Sequence, residues 1–135
     1  MKHTIVIKRP GEPAEVAMYD GIYRRDLTPL LGKKITPSYC HINNQDDVLR
    51  LCFVCDEDGC FKDIPENFYL ITSSRFGNHL EVIKGTVVFF KYIYEPYCGE
   101  EIYDYRLFPL NDSDLAMIEY LLSDEYQSKA KGLRP

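Results

Sequence analysis

The sequence predicts an α+β fold: a mainly antiparallel sheet with a short helix in the N-terminal half and a C-terminal helix packed on it. Short β-branched and aromatic runs recur between clusters of Gly, Pro and Asp, a pattern typical of strands joined by turns. Apolar residues fall at helical spacing in two places, near residues 22–31 and 115–126. The 135 residues, 45% of them hydrophobic, suffice for one core but not for two.

The N-terminal half begins with a predicted hairpin. Thr4–Lys8 and Glu15–Tyr19 are β-like runs on either side of a Pro/Gly turn cluster. Ile22–Leu31 has apolar residues near helical spacing. The glycine after it supplies a stop, and an internal proline keeps this helix short or kinks it. A third strand is predicted over Ile35–His41.

The middle of the chain predicts a second hairpin and then the strongest β signal. Val48–Cys55 and Cys60–Ile64 flank the turn residues Asp56–Gly59. Pro65–His79 contains no clear period in its interior, so we expect it to be irregular. Glu81–Tyr94 is rich in β-branched and aromatic residues and predicts a strand.

The C-terminal third predicts one more strand and the second helix. Ile102–Phe108 alternates with period two, and Asn111–Asp114 offers helix N-caps with carboxylates in the first turn. The apolar residues that follow at helical spacing are Leu115, Ile118, Leu121, Leu122 and Tyr126. We expect a single domain over residues 1–128 and a frayed basic tail over residues 129–135.

Charge and hydropathy restrict the class of partner. The formal net charge is -5, whereas binding to duplex nucleic acid needs a Lys/Arg surplus on some face. Met1–His3 leads into a β-like run instead of a signal peptide, and no apolar stretch approaches the ~18 residues of a membrane span. The five cysteines, an odd number without a secretion signal, indicate reduced thiols. We therefore expect a cytoplasmic protein without a duplex nucleic acid or membrane partner.

The segment LCFVCDEDGC, residues 51–60, raises three alternatives: a metal site, a redox pair or the tip of a hairpin. Zinc needs four ligands around one centre, but Cys52 and Cys55 differ in parity and face opposite sides of a strand. A redox pair would sit at a helix N-terminus, which this segment is not. The remaining candidate ligands lie in no second C-x-x-C motif: they are Cys40, His41, His79 and Cys98. The pattern favours a hairpin tip, with no metal and no cofactor.

Catalytic signatures are missing from the sequence. It contains no G-x-S-x-G, P-loop, G-x-G-x-x-G or H-E-x-x-H motif. Cys40 and His41 are adjacent, so in a strand they face opposite sides and do not form a nucleophile–base pair. We expect a non-enzymatic protein with no catalytic residues. A Cys98 nucleophile with a distant histidine remains the enzymatic alternative.

Tyrosines are concentrated near the predicted C-terminal strands. Tyr92 and Tyr94 share one face of a strand, and Tyr103 and Tyr105 share a face of the next. Such residues form either a half-buried sheet face covered by the C-terminal helix or a binding surface for a flat ligand or a partner. Nearby cations either meet an anion there or are solvated surface charges. The candidate ligand-binding residues are Arg75, His79, Lys84, Lys91, Tyr92, Tyr94, Tyr97 and Arg106.

Four short motifs carry a family resemblance. They are the CDEDG of Cys55–Gly59, the IPEN that contains Ile64–Pro65 and Asn67, the KGTVVFF that contains Gly85–Thr86, and the LNDSDLAMIEYLL of Leu110–Leu122. In this order the chain resembles a family of small proteins of phages and conjugative elements, classed as a domain of unknown function. The resemblance implies a mobile-element setting, in the cytoplasm of an infected or element-carrying bacterial cell.

Two hypotheses of function follow from the tyrosines, the missing catalytic motifs and the resemblance. In the first, the protein counters host defence by sequestering a small anionic, nucleotide-derived signalling molecule, with tyrosines stacking and Arg or Lys meeting phosphate. In the second, it inhibits a host or phage protein through its Tyr-rich face. We expect a homo-oligomer in either case.

Overall fold

The described strands assemble into a six-stranded antiparallel sheet and a separate two-stranded hairpin. The computed structural model describes residues 2–43, 48–59, 62–94 and 104–133. The strands are β1 (Lys2–Lys8), β2 (Glu15–Asp20), β3 (Pro37–Asn43), β4 (Leu49–Asp56), β5 (Glu66–Ser74), β6 (Gly77–Lys84), β7 (Val87–Ile93) and β8 (Leu107–Phe108). The helices are a 3₁₀ helix (Arg24–Leu31, hereafter the short helix), α1 (Asp112–Leu121) and α2 (Asp124–Lys131). The fold is α+β.

Strand β7 lies at the centre of the main sheet, whose order is β2-β1-β7-β4-β3 with β8 also paired to β7. All of its residues except the last are buried, because neighbouring elements cover both faces. β4 pairs with one edge of β7 along almost its whole length. On the other edge, β1 pairs with Val87–Phe89 and β8 pairs with Lys91 and Tyr92. Two strands therefore share a single edge of β7.

The first hairpin and the third strand are confirmed. β1 and β2 pair in antiparallel register, with Val6 opposite Val16. The predicted helix after them is confirmed in place, and it is a 3₁₀ helix that contains Pro29. Proline has no N–H to donate and disfavours an α-helix interior, which is consistent with the tighter, shorter form. Gly32 ends the helix at a φ of 129°, a conformation that favours glycine.

The second hairpin predicted from the sequence is wrong. β4 pairs with β3 and β7, and residues 62–65 form no returning strand, so Asp56–Gly59 is a turn outside a hairpin. The Asp56 carboxylate organises this turn by accepting hydrogen bonds from the Asp58 N–H and the Lys62 ammonium. Cys60 lies outside the described residues.

The segment predicted to be irregular forms most of the β5–β6 hairpin, and Glu81–Tyr94 is two strands. The hairpin was missed because only a few of its residues are buried, so its sequence lacks a strong alternation of apolar and polar residues. β6 and β7 separate at Gly85, whose φ of 75° suits glycine. Of the strand predicted over Ile102–Phe108, the described part is β8 and a single bridge between Arg106 and Tyr23.

The two faces of the sheet have separate cores. We call one the α-helical face, where α1, α2 and the β5–β6 hairpin cover Phe53, Phe89 and other sheet residues of the same parity. Phe53, Phe68 and Phe89 form its centre, with ring centroids 5.6 to 5.8 Å apart. We call the other the short-helix face, where Leu27 of the short helix packs against sheet residues that include Phe90.

The C-terminal helical region is two helices instead of one. The Asn111 side chain accepts a hydrogen bond from the Asp114 N–H and caps α1, as the sequence predicts. Ser123 then caps α2, so the chain changes direction between the helices. α2 continues past residue 128 to Lys131, and Ala130 is 0% exposed, which places this part of the predicted tail in the packed structure. Among the described residues, no helix combines the length and apolar character needed to cross a membrane.

A buried ion pair links β7 to α1 and gives a test of the fold. Lys91 is buried on the α-helical face, with its Nζ 3.0 Å from Oδ2 of Asp114. Replacing Asp114 with Asn leaves this ammonium without its carboxylate and should destabilise the protein by about 3 kcal/mol. Replacing Lys91 with Met should cost less than about 1 kcal/mol, since Asp114 still accepts from the Asn111 N–H. Urea unfolding measures both; equal losses would contradict this asymmetry.

Candidate functional site

Of the sequence-predicted site residues that the structure describes, two lie together. Tyr92 and Tyr94 lie on the short-helix face, next to Tyr105, so the prediction that they share a face is confirmed. The short helix, and not the C-terminal helices, lies on this side of the sheet, which corrects the expectation that the C-terminal helix covers the tyrosines. Tyr97 and Tyr103 lie outside the described residues.

The remaining predicted residues are dispersed over the molecule. Arg75 is at the tip of the β5–β6 hairpin with its guanidinium 5.1 Å from the Phe76 ring centroid. His79 also belongs to that hairpin, and its Nε2 lies 3.0 Å from Oγ of Ser74. Lys84 ends β6 opposite Glu66.

Two more cations lie away from the tyrosines. Lys91 is on the α-helical face, paired with Asp114. Arg106 is exposed beside β8 and lines a cavity that the cluster of tyrosines does not share. Parity along the strand predicts that Lys91 lies on the face opposite Tyr92, and the structure confirms it.

The alternation of strand residues builds a different group around the two tyrosines. Arg50 on β4 is directly opposite Tyr92 on β7, and His41 on β3 is opposite Cys52 on β4, so these side chains share the short-helix face. The short helix adds Arg24, and the segment before β8 adds Tyr105. We call this group the tyrosine–arginine cluster; its members are Arg24, Tyr39, His41, Arg50, Tyr92, Tyr94 and Tyr105.

Stacked rings form one wall of the cluster. The Tyr92 and Tyr105 rings are nearly parallel, with centroids 5.1 Å apart and an interplanar angle of 23°. The centroid of Tyr94 lies 5.4 Å from that of Tyr105. Tyr92 is only 2% exposed, whereas Tyr94 and Tyr105 are half-buried. Tyr92 therefore supports the wall from the protein interior, and the rings of Tyr94 and Tyr105 form its solvent-accessible surface.

Arg24 is held in place by rings and a carboxylate. Its Cζ lies 4.0 Å from the ring centroid of Tyr39 and 4.8 Å from that of Tyr105, within the range of cation–π contacts. Its Nε lies 2.6 Å from Oδ1 of Asp104, and Asp104 also accepts from the Arg25 and Tyr105 N–H groups. The charge of Arg24 is thus compensated within the protein.

Arg50 has a different environment. Its Cζ lies 4.0 Å from the ring centroid of Tyr94, and the residue is half-buried. Its Nε is buried and has no hydrogen-bond partner in the described part of the chain. None of the ion pairs between described residues includes Arg50. A guanidinium in this situation carries charge and a donor that the surrounding described groups do not satisfy.

The electrostatics of the cluster favour negative charge. His41 places Nε2 2.6 Å from the Tyr92 hydroxyl oxygen. Burial, followed by the positive charges of Arg50 and Arg24, lowers the pKa of His41 below its ordinary value of 6.5. Burial also raises the pKa of Tyr92, so this hydroxyl stays neutral. At neutral pH the histidine is uncharged. Since Asp104 compensates Arg24, Arg50 leaves the described groups of the cluster with an excess of positive charge.

The three described thiols divide between the two faces, as parity predicts. Cys52 belongs to the core under the cluster, while Cys55 and Cys40 belong to the α-helical face. A hydrogen bond from the Cys55 thiol lowers the pKa of Cys40 and raises the pKa of Cys55. Burial raises the pKa of Cys52 to about 12. In the described ranges, no group of three or more His, Cys, Asp or Glu residues is placed to hold a metal ion.

The residues that complete the cluster were not identified as site residues from the sequence. Arg50 shares a face with Cys52 by parity, so the strand pattern contained a signal for it. Its alignment with Tyr92 needs the β4–β7 register, which the sequence does not specify. Arg24 and Asp104 are distant in the chain, and no local pattern indicates their contact.

Comparisons of the chain with protein-family models, with curated proteins and with solved structures find no match. The resemblance to phage and conjugative-element proteins therefore stays a prediction, and function has to be argued from the geometry above.

The thiol environments predict an order of chemical reactivity. In the native protein at mildly alkaline pH, iodoacetamide should modify Cys40 before Cys52, because Cys40 is half-buried with a lowered pKa and Cys52 is fully buried. Peptide mass spectrometry after timed labelling measures both rates. Cys55→Ala removes the donor and should slow the labelling of Cys40 several-fold, whereas Cys52→Ala should leave it unchanged. Equal labelling rates of Cys40 and Cys52 in the folded protein would refute the predicted order of reactivity.

Proposed function

We propose that this protein is a non-enzymatic binding protein that sequesters a small anionic molecule with a planar ring at the tyrosine–arginine cluster. The observation that carries the proposal is Arg50, a half-buried guanidinium with an unpartnered Nε and no ion pair among the described residues. Bidentate binding of phosphate or carboxylate by a guanidinium satisfies both its charge and its donors. An anion on Arg50 would therefore supply what the described neighbours do not.

The rings support the planar part of the ligand. Tyr94 lies under the Arg50 guanidinium and beside Tyr105, and both rings are half-buried. Stacking of a base on an aromatic side chain contributes about 1–3 kcal/mol and tolerates any base, because every base has a π-face. Nucleotide-derived molecules combine such a ring with phosphate, which is the chemistry that Tyr94 and Arg50 present side by side.

The described polar groups of the cluster favour binding over bond-making. Cys52, the described thiol in the core under the cluster, has a pKa raised to about 12 and stays a thiol at neutral pH. A protonated, fully buried thiol is a poor nucleophile. His41 is engaged with the Tyr92 hydroxyl, whose own pKa is raised by burial. We propose stoichiometric sequestration, with the ligand a signalling nucleotide of host defence in the mobile-element setting that the family resemblance implies.

Calorimetry with cyclic dinucleotides, cyclic oligoadenylates and ADP-ribose derivatives tests this function. A ligand from this set should bind the wild type, and Arg50→Gln should weaken its binding at least about tenfold, since a charge-assisted hydrogen bond is lost. Arg75→Gln is the matched control, because that arginine lies at the β5–β6 hairpin tip, outside the cluster. Thermal unfolding confirms that each variant is folded. No binding by the folded wild type, or equal binding by Arg50→Gln, refutes the proposal.

A second candidate function is protein binding through β2. This is the outermost strand on one side of the described sheet, and its Val16 and Met18 are 61% and 60% exposed on one face. Unpaired strand edges with apolar side chains are templates for pairing with another chain. Tyr92, at 2% exposed, is a poor contact for a protein partner, so the geometry favours β2 over the tyrosines for this role.

Sedimentation at several protein concentrations tests the β2 surface as the contact of a homo-oligomer. The wild type should associate, and Val16→Lys with Met18→Lys should shift it to the monomer, since two ammonium groups would be buried in the contact. Tyr120→Lys, which also replaces an exposed large residue but on α1, should leave the association unchanged. A wild type that stays monomeric at all concentrations argues against this surface.

A further inference from the structure

A cavity of about 530 Å³ lies where β1 and β8 diverge. Both strands pair with the same edge of β7: β1 takes the segment from Val87 to Phe89, and β8 takes Lys91 and Tyr92. Two strands that share one edge cannot both continue along it, so a gap opens between them. The residues that line the cavity are Lys2, His3, Ile22, Ile93, Arg106, Leu107, Phe108 and Pro109.

The lining has an apolar wall, a buried polar atom and a cationic mouth. Ile93, Leu107 and Phe108 belong to the apolar wall. Lys2 and Arg106 are exposed, so their charges lie at the solvent side. Asp20 is opposite Lys2 on β2, and an anion at the mouth would meet the positive charges of Lys2 and Arg106.

His3 supplies the buried polar atom. The residue is only 5% exposed, and its Nδ1 is buried without a hydrogen-bond partner in the described residues. Burial lowers the pKa of His3, so the ring is neutral at neutral pH. A neutral imidazole has one donor and one acceptor nitrogen, and a hydroxyl group pairs with either, because it both donates and accepts. An unsatisfied buried group of this kind favours a ligand that brings a hydroxyl.

We propose that this cavity binds an apolar or aromatic anion that carries a hydroxyl group. The apolar body lies against Leu107 and Phe108, the hydroxyl pairs with His3, and the carboxylate or phosphate meets Arg106 at the mouth. The volume is in the range of small-molecule sites, and apolar walls with a few polar groups are their usual lining. The proposal is independent of the tyrosine–arginine cluster, since none of its residues lines the cavity.

Three matched probes test the ligand class on the wild-type protein: 6-hydroxy-2-naphthoate, 2-naphthoate without the hydroxyl, and 2-naphthol without the carboxylate. The chain has no Trp, so naphthalene fluorescence reports binding without overlap from that residue. We expect 6-hydroxy-2-naphthoate to bind about tenfold more tightly than either analogue. The reason is that 2-naphthoate loses the hydroxyl pairing with His3 and 2-naphthol loses the carboxylate pairing with Arg106. In NMR spectra, the His3 ring and the methyl groups of Ile93 and Leu107 should shift on binding.

Two variants assign the polar pairings. Arg106→Gln should remove the preference for the carboxylate over 2-naphthol, and His3→Phe should remove the preference for the hydroxyl over 2-naphthoate. Arg50→Gln should change neither preference, which separates this site from the tyrosine–arginine cluster. If His3→Phe does not fold, the probe series on the wild type and Arg106→Gln remains a complete test. Equal affinity for the three probes, or no shift of the His3 signals at millimolar probe, overturns the proposal.

Discussion

The structure depends on the burial of β7 on both faces. Its side chains alternate between two cores that different elements cover, and every other strand of the main sheet is positioned directly or indirectly by pairing with it. A one-residue shift of its register would exchange the two faces and place Lys91 where Tyr92 now lies. The same strand therefore determines the core, the placement of the tyrosines and the partner that Lys91 finds.

The pairing of β1 and β8 with the same edge of β7 also interrupts the sheet. Because β1 and β8 each pair with only part of this edge, the sheet has a break in its hydrogen bonding. Next to this break, Nδ1 of the buried His3 has no hydrogen-bond partner among the described residues. A break in the sheet and a set of polar groups around it occur together here, which is why the cavity is the strongest candidate for a second ligand.

The two arginines of the cluster show how the same side chain takes different roles. Arg24 has Asp104 within 2.6 Å and two tyrosine rings around it, so its charge is compensated and it holds the short helix to the sheet. Arg50 contacts the Tyr94 ring, but its Nε has no partner among the described residues. The lowered pKa of His41 is consistent with the positive field of both. In a chain with a net charge of -5, such a local excess of positive charge suits an anionic ligand.

By itself the sequence determined the fold class, the first hairpin, the extended Cys52–Cys55 segment and the cap of α1 at Asn111, because each depends on residues close together in the chain. It also determined that Tyr92 and Tyr94 share a face, since parity is local. Only the tertiary structure decided that β5 and β6 form their own hairpin, that Lys91 pairs with Asp114, and that Arg50 and Arg24 join the tyrosines. Those contacts depend on the register between strands and on pairing between residues far apart in the chain, and neither leaves a periodic signal in the sequence.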